Sequence, residues 1–471
     1  MLTNDKLREE CAIFGASINN LEAAGVCYNG LLTLQHRGQE GAGIAVIEEN
    51  KIMFYKNVGL VSEVFNADVL KKLPKGRVAL GHNRYSTTGS NVKENVGPFI
   101  TEFLTGRIAT AHNGNVTNAK DIKDTLQNIG LNFDATSDSE VVSSLIAYYI
   151  TKEEDFVKGV TRAGQMLKGA FSLIIGNGKG DLIALRDPNG YRPLCIGESE
   201  TGMVISSESC AVETCGFDFL RDVKPGELVL IRNGKIEYSE IVLTEKENGA
   251  GLCIFEYVYF SRPDSIVDGL SVYESRFNMG AELAKEYPVD ADIVCGVPDS
   301  GLEAAMGYAA ESGIPLKSGF VKNRYIGRSF IYPTQSQRDT AVRLKLNPLI
   351  TNVKGQRIVL VDDSIVRGTT SARIVKALRH AGAKEVHMRI SSPPFKHTCH
   401  YGTDIDKKEN LIANQKTLDE ICQSIGADSL GYISVKGLKT ACQKSGMNFC
   451  TYCFTGHGED LDSIDKSNLE G

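Results

Sequence analysis

Hydrophobic positions change their rhythm partway along the chain. From residue 12 to about 240 they come in short runs broken by turn residues, which predicts strands, with two helical patterns among them. Ile108 to Gly114 reads as a strand running into a turn, Ser139 to Tyr149 as an amphipathic helix, and Ala170 to Ile175 as a buried strand. Asn233-Gly234 between two apolar runs is a strong hairpin signal. Residues 245–251 are polar and Gly-bearing, as a linker would be. Beyond them longer strand–helix units follow: Asp292 to Gly296 then Gly301 to Ala310, and Ile358 to Val361 then a helical face of Ile374, Val375 and Leu378 ending at Gly382. That alternation predicts a parallel sheet with ligands at the carboxyl ends of its strands. From about 404 the chain is polar and helical, with a Cys-rich finish.

At 471 residues two or three domains are expected. A net charge of −6 argues against nucleic acid as a partner. No apolar run approaches the ~20 residues that span a bilayer, and Met1 to Glu10 lacks the apolar core of a signal peptide. The chain therefore reads as cytoplasmic, and its twelve cysteines as thiols or metal ligands rather than a disulfide framework.

Chemistry concentrates first at residues 357–375. Two carboxylates, Asp362 and Asp363, end the buried run, and a loop of small residues leads into a helix N-terminus. Free backbone N–H groups and the helix dipole make such a junction an anion site, while the carboxylates suit ribose hydroxyls or Mg²⁺. The stretch resembles the phosphoribosyl-pyrophosphate (PRPP) signature of type I phosphoribosyltransferases. The resemblance implies PRPP binding by Asp362, Asp363, Ser364, Arg367, Gly368, Thr369, Thr370 and Ser371.

A second set lies at the front. Cys11 on its own reads as a small buried residue in a strand. It is followed, in order, by Leu34-Gln-His-Arg-Gly-Gln, Gly81-His-Asn-Arg-Tyr-Ser-Thr, Ala111-His-Asn-Gly-Asn and Thr136-Ser-Asp-Ser-Glu. Together these resemble the glutaminase domain of N-terminal-nucleophile amidotransferases. The resemblance implies that residues 1–10 are a propeptide whose removal frees the Cys11 amine to assist its own thiol. It makes Asn113 and Gly114 the oxyanion hole, and Arg37 and Gly38 part of the glutamine-pocket wall. Arg84 is implied for the substrate α-carboxylate and Asp138 for its α-ammonium. His36, His82 and His112 read as structural.

The two halves together resemble one family, glutamine PRPP amidotransferase, with further matches at Cys253 to Ser265, Gly296 to Gly301 and Lys322 to Arg328. That resemblance implies a four-layer αββα sandwich over 11–244, a phosphoribosyltransferase parallel-sheet domain over 252–403, and a C-terminal helical extension over 404–471: an α+β half joined to an α/β half. The implied reaction makes 5-phosphoribosylamine from glutamine and PRPP, the first committed step of purine synthesis, with ammonia passed internally. A basic lid is expected at 322–345, including Lys322 and Arg324, with Ser300 joining Asp362 and Asp363 around one Mg²⁺. The family also implies a homotetramer inhibited by purine nucleotides. The rival expectation is a PRPP-sensing regulator without turnover.

Cys450 and Cys453 form a two-residue-spaced pair that by itself fits zinc, redox chemistry or chance. With Cys253 and Cys399 they stand where one subclass of the family carries the ligands of a [4Fe–4S] cluster; four thiolates also fit zinc, and only the resemblance favours iron. The remaining cysteines read as packing or surface thiols.

Overall fold

The structure is a computed structural model, and it describes residues 11–85, 91–244, 251–323, 346–403, 405, 407–443 and 447–456. The short runs of the first half pair into two antiparallel sheets. One has the strand order Asp218–Asp222, Cys195–Ser199, Gly202–Ser206, Ala12–Ile18, Val78–Arg84, Gly41–Glu48, Lys51–Val58; the other runs Lys235–Ile241, Glu227–Arg232, Leu182–Arg186, Gly169–Asn177, Gly106–Val116, Phe99–Phe103. Their facing sides bury a core that includes Ile13, Ala45, Leu80, Ile174 and Leu182. Ala23–Thr33 and Ser209–Thr214 cover the outside of the first sheet, and Asp138–Glu153 and Phe156–Met166 the outside of the second. This is the expected αββα layering.

Asn233 and Gly234 both take positive φ, 50° and 69°, as the hairpin requires. The expected turn at His112-Asn113-Gly114 does not form: the strand continues to Val116, paired throughout with Gly169–Asn177. Ladder pairing along the whole strand overrides a dipeptide that looks like a turn.

The second half holds a parallel sheet ordered Ile293–Gly296, Arg357–Asp362, Glu385–Ile390, Ser429–Tyr432. Helices Val272–Glu286 and Leu302–Ser312 pack on one face, Thr369–His380 and Leu418–Ile425 on the other. The segment after 404 is thus more than a helical extension, because Ser429–Tyr432 completes this sheet. Most of the lid expected at 322–345, Arg324 included, lies outside the described residues, as do 1–10. Among the described residues no helix is long and apolar enough to cross a membrane.

Candidate active sites

Cys11 is half-buried at the mouth of the strand Ala12–Ile18. Its Sγ donates to the Tyr85 carbonyl at 3.4 Å and accepts from the Tyr85 N–H at 3.5 Å. The neighbouring strand places Arg84, almost fully buried, at the same end of the sheet. Burial pulls the Arg84 guanidinium below its ordinary pKa, opposed by the negative charge of Cys11, Glu40 and Asp138 in its surroundings. Asp138 opens the helix Asp138–Glu153; its Oδ2 accepts from the Val116 N–H at 3.0 Å, which fixes it beside the strand Gly106–Val116.

That strand supplies Asn113 and Gly114. The Asn113 side chain is buried, yet its Nδ2 has no hydrogen-bond partner among the described residues. A buried amide donor left open costs on the order of 1–3 kcal/mol and calls for an acceptor. Gly114 has φ +144°, and a Cβ there would stand 2.1 Å from the Ala170 carbonyl, so only glycine keeps the backbone in place.

Arg37 is placed differently from a direct glutamine ligand. Its guanidinium is enclosed and bonds Glu208 Oε1 at 2.8 Å, Glu256 at 2.8 and 2.9 Å, and the Cys11 carbonyl at 3.3 Å. It braces the pocket wall from behind, while the Gly38 backbone lies against Asn83 and Arg84. Burial works against the Glu208 charge, but His36 and Arg37 outweigh it and hold its carboxyl far below the usual range. Glu208 and Glu256 were not singled out from the sequence. A lone acid inside the apolar run Cys253 to Phe260 was the available signal, since such a charge must be paired.

At the carboxyl ends of the parallel strands, Asp362 and Asp363 are both buried. Asp362 Oδ1 accepts from the Asp363 N–H at 3.0 Å, and the hydroxyls of Ser300 and Ser364 both donate to the Asp363 carboxylate. Gly296 pairs with Val361, and that register sets the Ser300 loop beside the acidic tip. Gly368 caps the helix Thr369–His380 with φ +83° and no side-chain cap bond, so the positive end of the helix dipole is presented at this junction, where it favours an anion. Arg367, Thr369, Thr370 and Ser371 sit on this junction. Lys322 pairs with Asp299.

The four expected cluster cysteines converge. Leu252–Cys253 runs parallel to Phe449–Cys450 with Cys253 opposite Cys450, and burial raises the Cys453 thiol well above its ordinary value, with Cys253, Cys399 and Cys450 adding to the effect. The stacked rings of Tyr191 and Tyr401, 4.3 Å apart, pack against Cys399 and Cys450. Among the described residues no three His, Cys, Asp or Glu side chains are gathered tightly enough to hold a single metal ion. The other seven thiols are buried or half-buried in packing positions, and none is disulfide-bonded.

Comparison with known proteins accords with both halves. Residues 82–214 match the glutamine amidotransferase domain family and residues 275–409 the phosphoribosyl transferase domain family. The amidophosphoribosyltransferase of Methanocaldococcus jannaschii is 47% identical over 95% of this chain and 97% of its own. Amidophosphoribosyltransferase 1 of Arabidopsis thaliana, a chloroplastic protein, is 46% identical over 96% of this chain and 79% of its own. The solved glutamine PRPP amidotransferase of B. subtilis, complexed with ADP and GMP, superposes with a TM-score of 0.88 at 44% identity, covering 97% of this chain and 98% of that one. With two domain matches and near-full-length relatives at this identity, the chain belongs to the amidophosphoribosyltransferase family.

Proposed function

We propose that the chain converts glutamine, PRPP and water into 5-phosphoribosylamine, glutamate and pyrophosphate, the entry step of purine synthesis. The observation that carries the glutaminase half is Asn113 Nδ2, a buried donor with no partner in the strand that packs against the Cys11 sheet. Cys11 Sγ attacks the amide carbon of glutamine. The oxyanion that forms takes hydrogen bonds from Asn113 Nδ2 and the Gly114 N–H, the amide nitrogen leaves as ammonia after protonation, and water then hydrolyses the Cys11 thioester to release glutamate and restore the thiol. Arg84 holds the substrate carboxylate and Asp138 its ammonium. Removal of residues 1–10 gives Cys11 an α-amine of pKa near 8, suited to taking the thiol proton.

Ammonia then attacks C1 of PRPP and pyrophosphate departs. It must travel unprotonated, since ammonium has no lone pair, so an internal route between the halves is part of the proposal. Asp362 and Asp363 meet the ribose hydroxyls, the 364–371 junction holds the 5-phosphate, and Lys322 and Arg324 belong to the closing segment. An oxygen-only set of Ser300, Asp362 and Asp363 suits Mg²⁺, which characteristically arrives through substrate phosphates and one or two carboxylates. When bound there it would supply charge neutralisation for the departing pyrophosphate.

Cys253, Cys399, Cys450 and Cys453 suit a [4Fe–4S] cluster, whose contribution would be to tie the C-terminal segment to the residues at 253. Homotetramer assembly and inhibition by purine nucleotides complete the reading. A PRPP sensor is disfavoured because it has no use for an open oxyanion donor.

The direct test is Cys11→Ala. Glutamine-dependent pyrophosphate release should fall to background while ammonia-dependent release persists. Full glutamine turnover in that variant would defeat the proposal. Iron and sulfide analysis decides the cluster, with zinc in a colourless protein refuting it.

A further inference from the structure

One carboxylate reaches from the phosphoribosyltransferase half into the glutaminase half. Glu256 lies in the π-helical turn Glu256–Phe260 and is shielded from solvent. Arg37 grips both its oxygens, Nη2 on Oε1 at 2.8 Å and Nη1 on Oε2 at 2.9 Å. The Ser261 hydroxyl donates to Oε2 at 2.7 Å, and Arg192 Nη1 stands 3.6 Å from Oε1. Arg37 Nη1 also bonds Glu208, and its Nε donates to the carbonyl of Cys11 itself.

A bidentate guanidinium–carboxylate pair fixes both a distance and a plane. Both buried carboxylates are paired with cations, Glu208 with Arg37 and Glu256 with Arg37 and Arg192. Buried pairs of this kind add little stability over apolar packing, so their use here is better explained by position. The turn bearing Glu256 is itself clamped: Arg276 donates from Nε to the Tyr257 carbonyl at 2.8 Å and from Nη2 to the Ser261 carbonyl at 2.7 Å.

We infer that Glu256 is a positioning residue for glutamine cleavage: from the other domain it orients Arg37, and Arg37 holds the main chain of the residue that carries the nucleophilic thiol. The glutaminase site is therefore completed by a side chain outside the glutaminase fold. This rests on Cys11 being the nucleophile.

Glu256→Gln keeps the shape and removes the charge. A small displacement of reacting groups costs roughly 10²-fold in rate, so glutamine-dependent kcat should fall by at least about tenfold toward that limit. Alkylation of Cys11 by a diazo-ketone analogue of glutamine should slow in parallel, since it reads thiol placement in one step. The KM for PRPP and the ammonia-dependent rate should stay within about twofold of the parent. Unchanged alkylation and glutamine kcat would overturn the inference, and so would an equal loss of the ammonia reaction, which marks a general support of the fold. Should Glu256→Gln not fold, Ser261→Ala decides: a several-fold loss confined to the glutamine reaction supports the role, and no change overturns it. Cys11→Ala run alongside separates the two failures, because retained glutamine turnover there sinks the functional reading, whereas its loss together with parental behaviour in Glu256→Gln sinks only this inference.

Discussion

Burial pushes the His82 imidazole down to about 3, with Arg84 and His112 reinforcing the effect, and it lowers His112 as well against the opposition of Asp138. Neither His82 nitrogen makes a well-formed hydrogen bond among the described residues, and the His112 backbone offsets only a small part of the cost of a proton there. In the unfolded chain the ring takes its proton near pH 6.5. Between pH 6.5 and 3 the unfolded state binds more protons than the folded one, so stability is whole above that window and drains as pH falls through it. At pH 5 the loss from His82 alone is about 2 kcal/mol. Urea midpoints measured at pH 7 and pH 5 should differ less in His82→Asn than in the parent; an equal difference would place the acid sensitivity elsewhere. Asn113→Ala tests the oxyanion assignment separately, with an expected loss of about 10²–10³ in glutamine-dependent kcat and none with ammonia. The position of Asp362 and Asp363 at the end of a buried strand is legible in the sequence because the apolar run and the carboxylates that end it are adjacent, whereas Cys11 stands out only in company with motifs spread as far as residue 140. Glu208 and Glu256 are not legible there, since their partnership with Arg37 joins positions 171 and 219 residues apart.

The junction between the strand Arg357–Asp362 and the helix Thr369–His380 turns on Gly368. A Cβ at this left-handed position would meet the Ile412 side chain at 2.8 Å, beyond the backbone strain of roughly 1–2 kcal/mol that an L residue incurs there. Gly368→Ala should therefore raise the KM for PRPP by about 5–30-fold and leave alkylation of Cys11 by the glutamine analogue unchanged; a parental KM for PRPP would remove the loop from phosphate binding. This junction was readable because an apolar run, an acidic tip, a glycine and a helical face occur in order. At the end of the strand Gly106–Val116 the sequence points to a turn, because Asn-Gly ordinarily signals one, and only the ladder to Gly169–Asn177 carries the strand through it. The strand Ser429–Tyr432 was hidden for a related reason. Four residues between polar helices carry no period of their own, and their pairing with Glu385–Ile390 is decided by the sheet.

The two halves are stitched by buried charges as well as by the small apolar cluster of Ala170, Tyr191 and Tyr401. Arg186, at the end of an inner strand of the sandwich, is fully buried and grips Asp268 of the second half at 2.7 and 2.9 Å. Its remaining donors reach the carbonyls of Arg192, Val223 and Gly190. Removing the partner of a buried charge typically costs about 3–5 kcal/mol, because the charge left behind has lost its water as well as its counter-ion. Three carbonyls still serve Arg186, so Asp268→Asn should fall at the low end, about 3 kcal/mol. Arg232 and Glu237 offer a contrast, with side chains 43% and 48% exposed. A pair so open to solvent contributes at most about 1 kcal/mol, and Glu237→Gln should barely move the melting temperature. If the charges tie the halves into one cooperative unit, calorimetry of the parent shows a single transition. In Asp268→Asn the glutaminase half should then separate into its own, earlier transition. Equal melting curves for the two variants would mean that the domains are held together elsewhere.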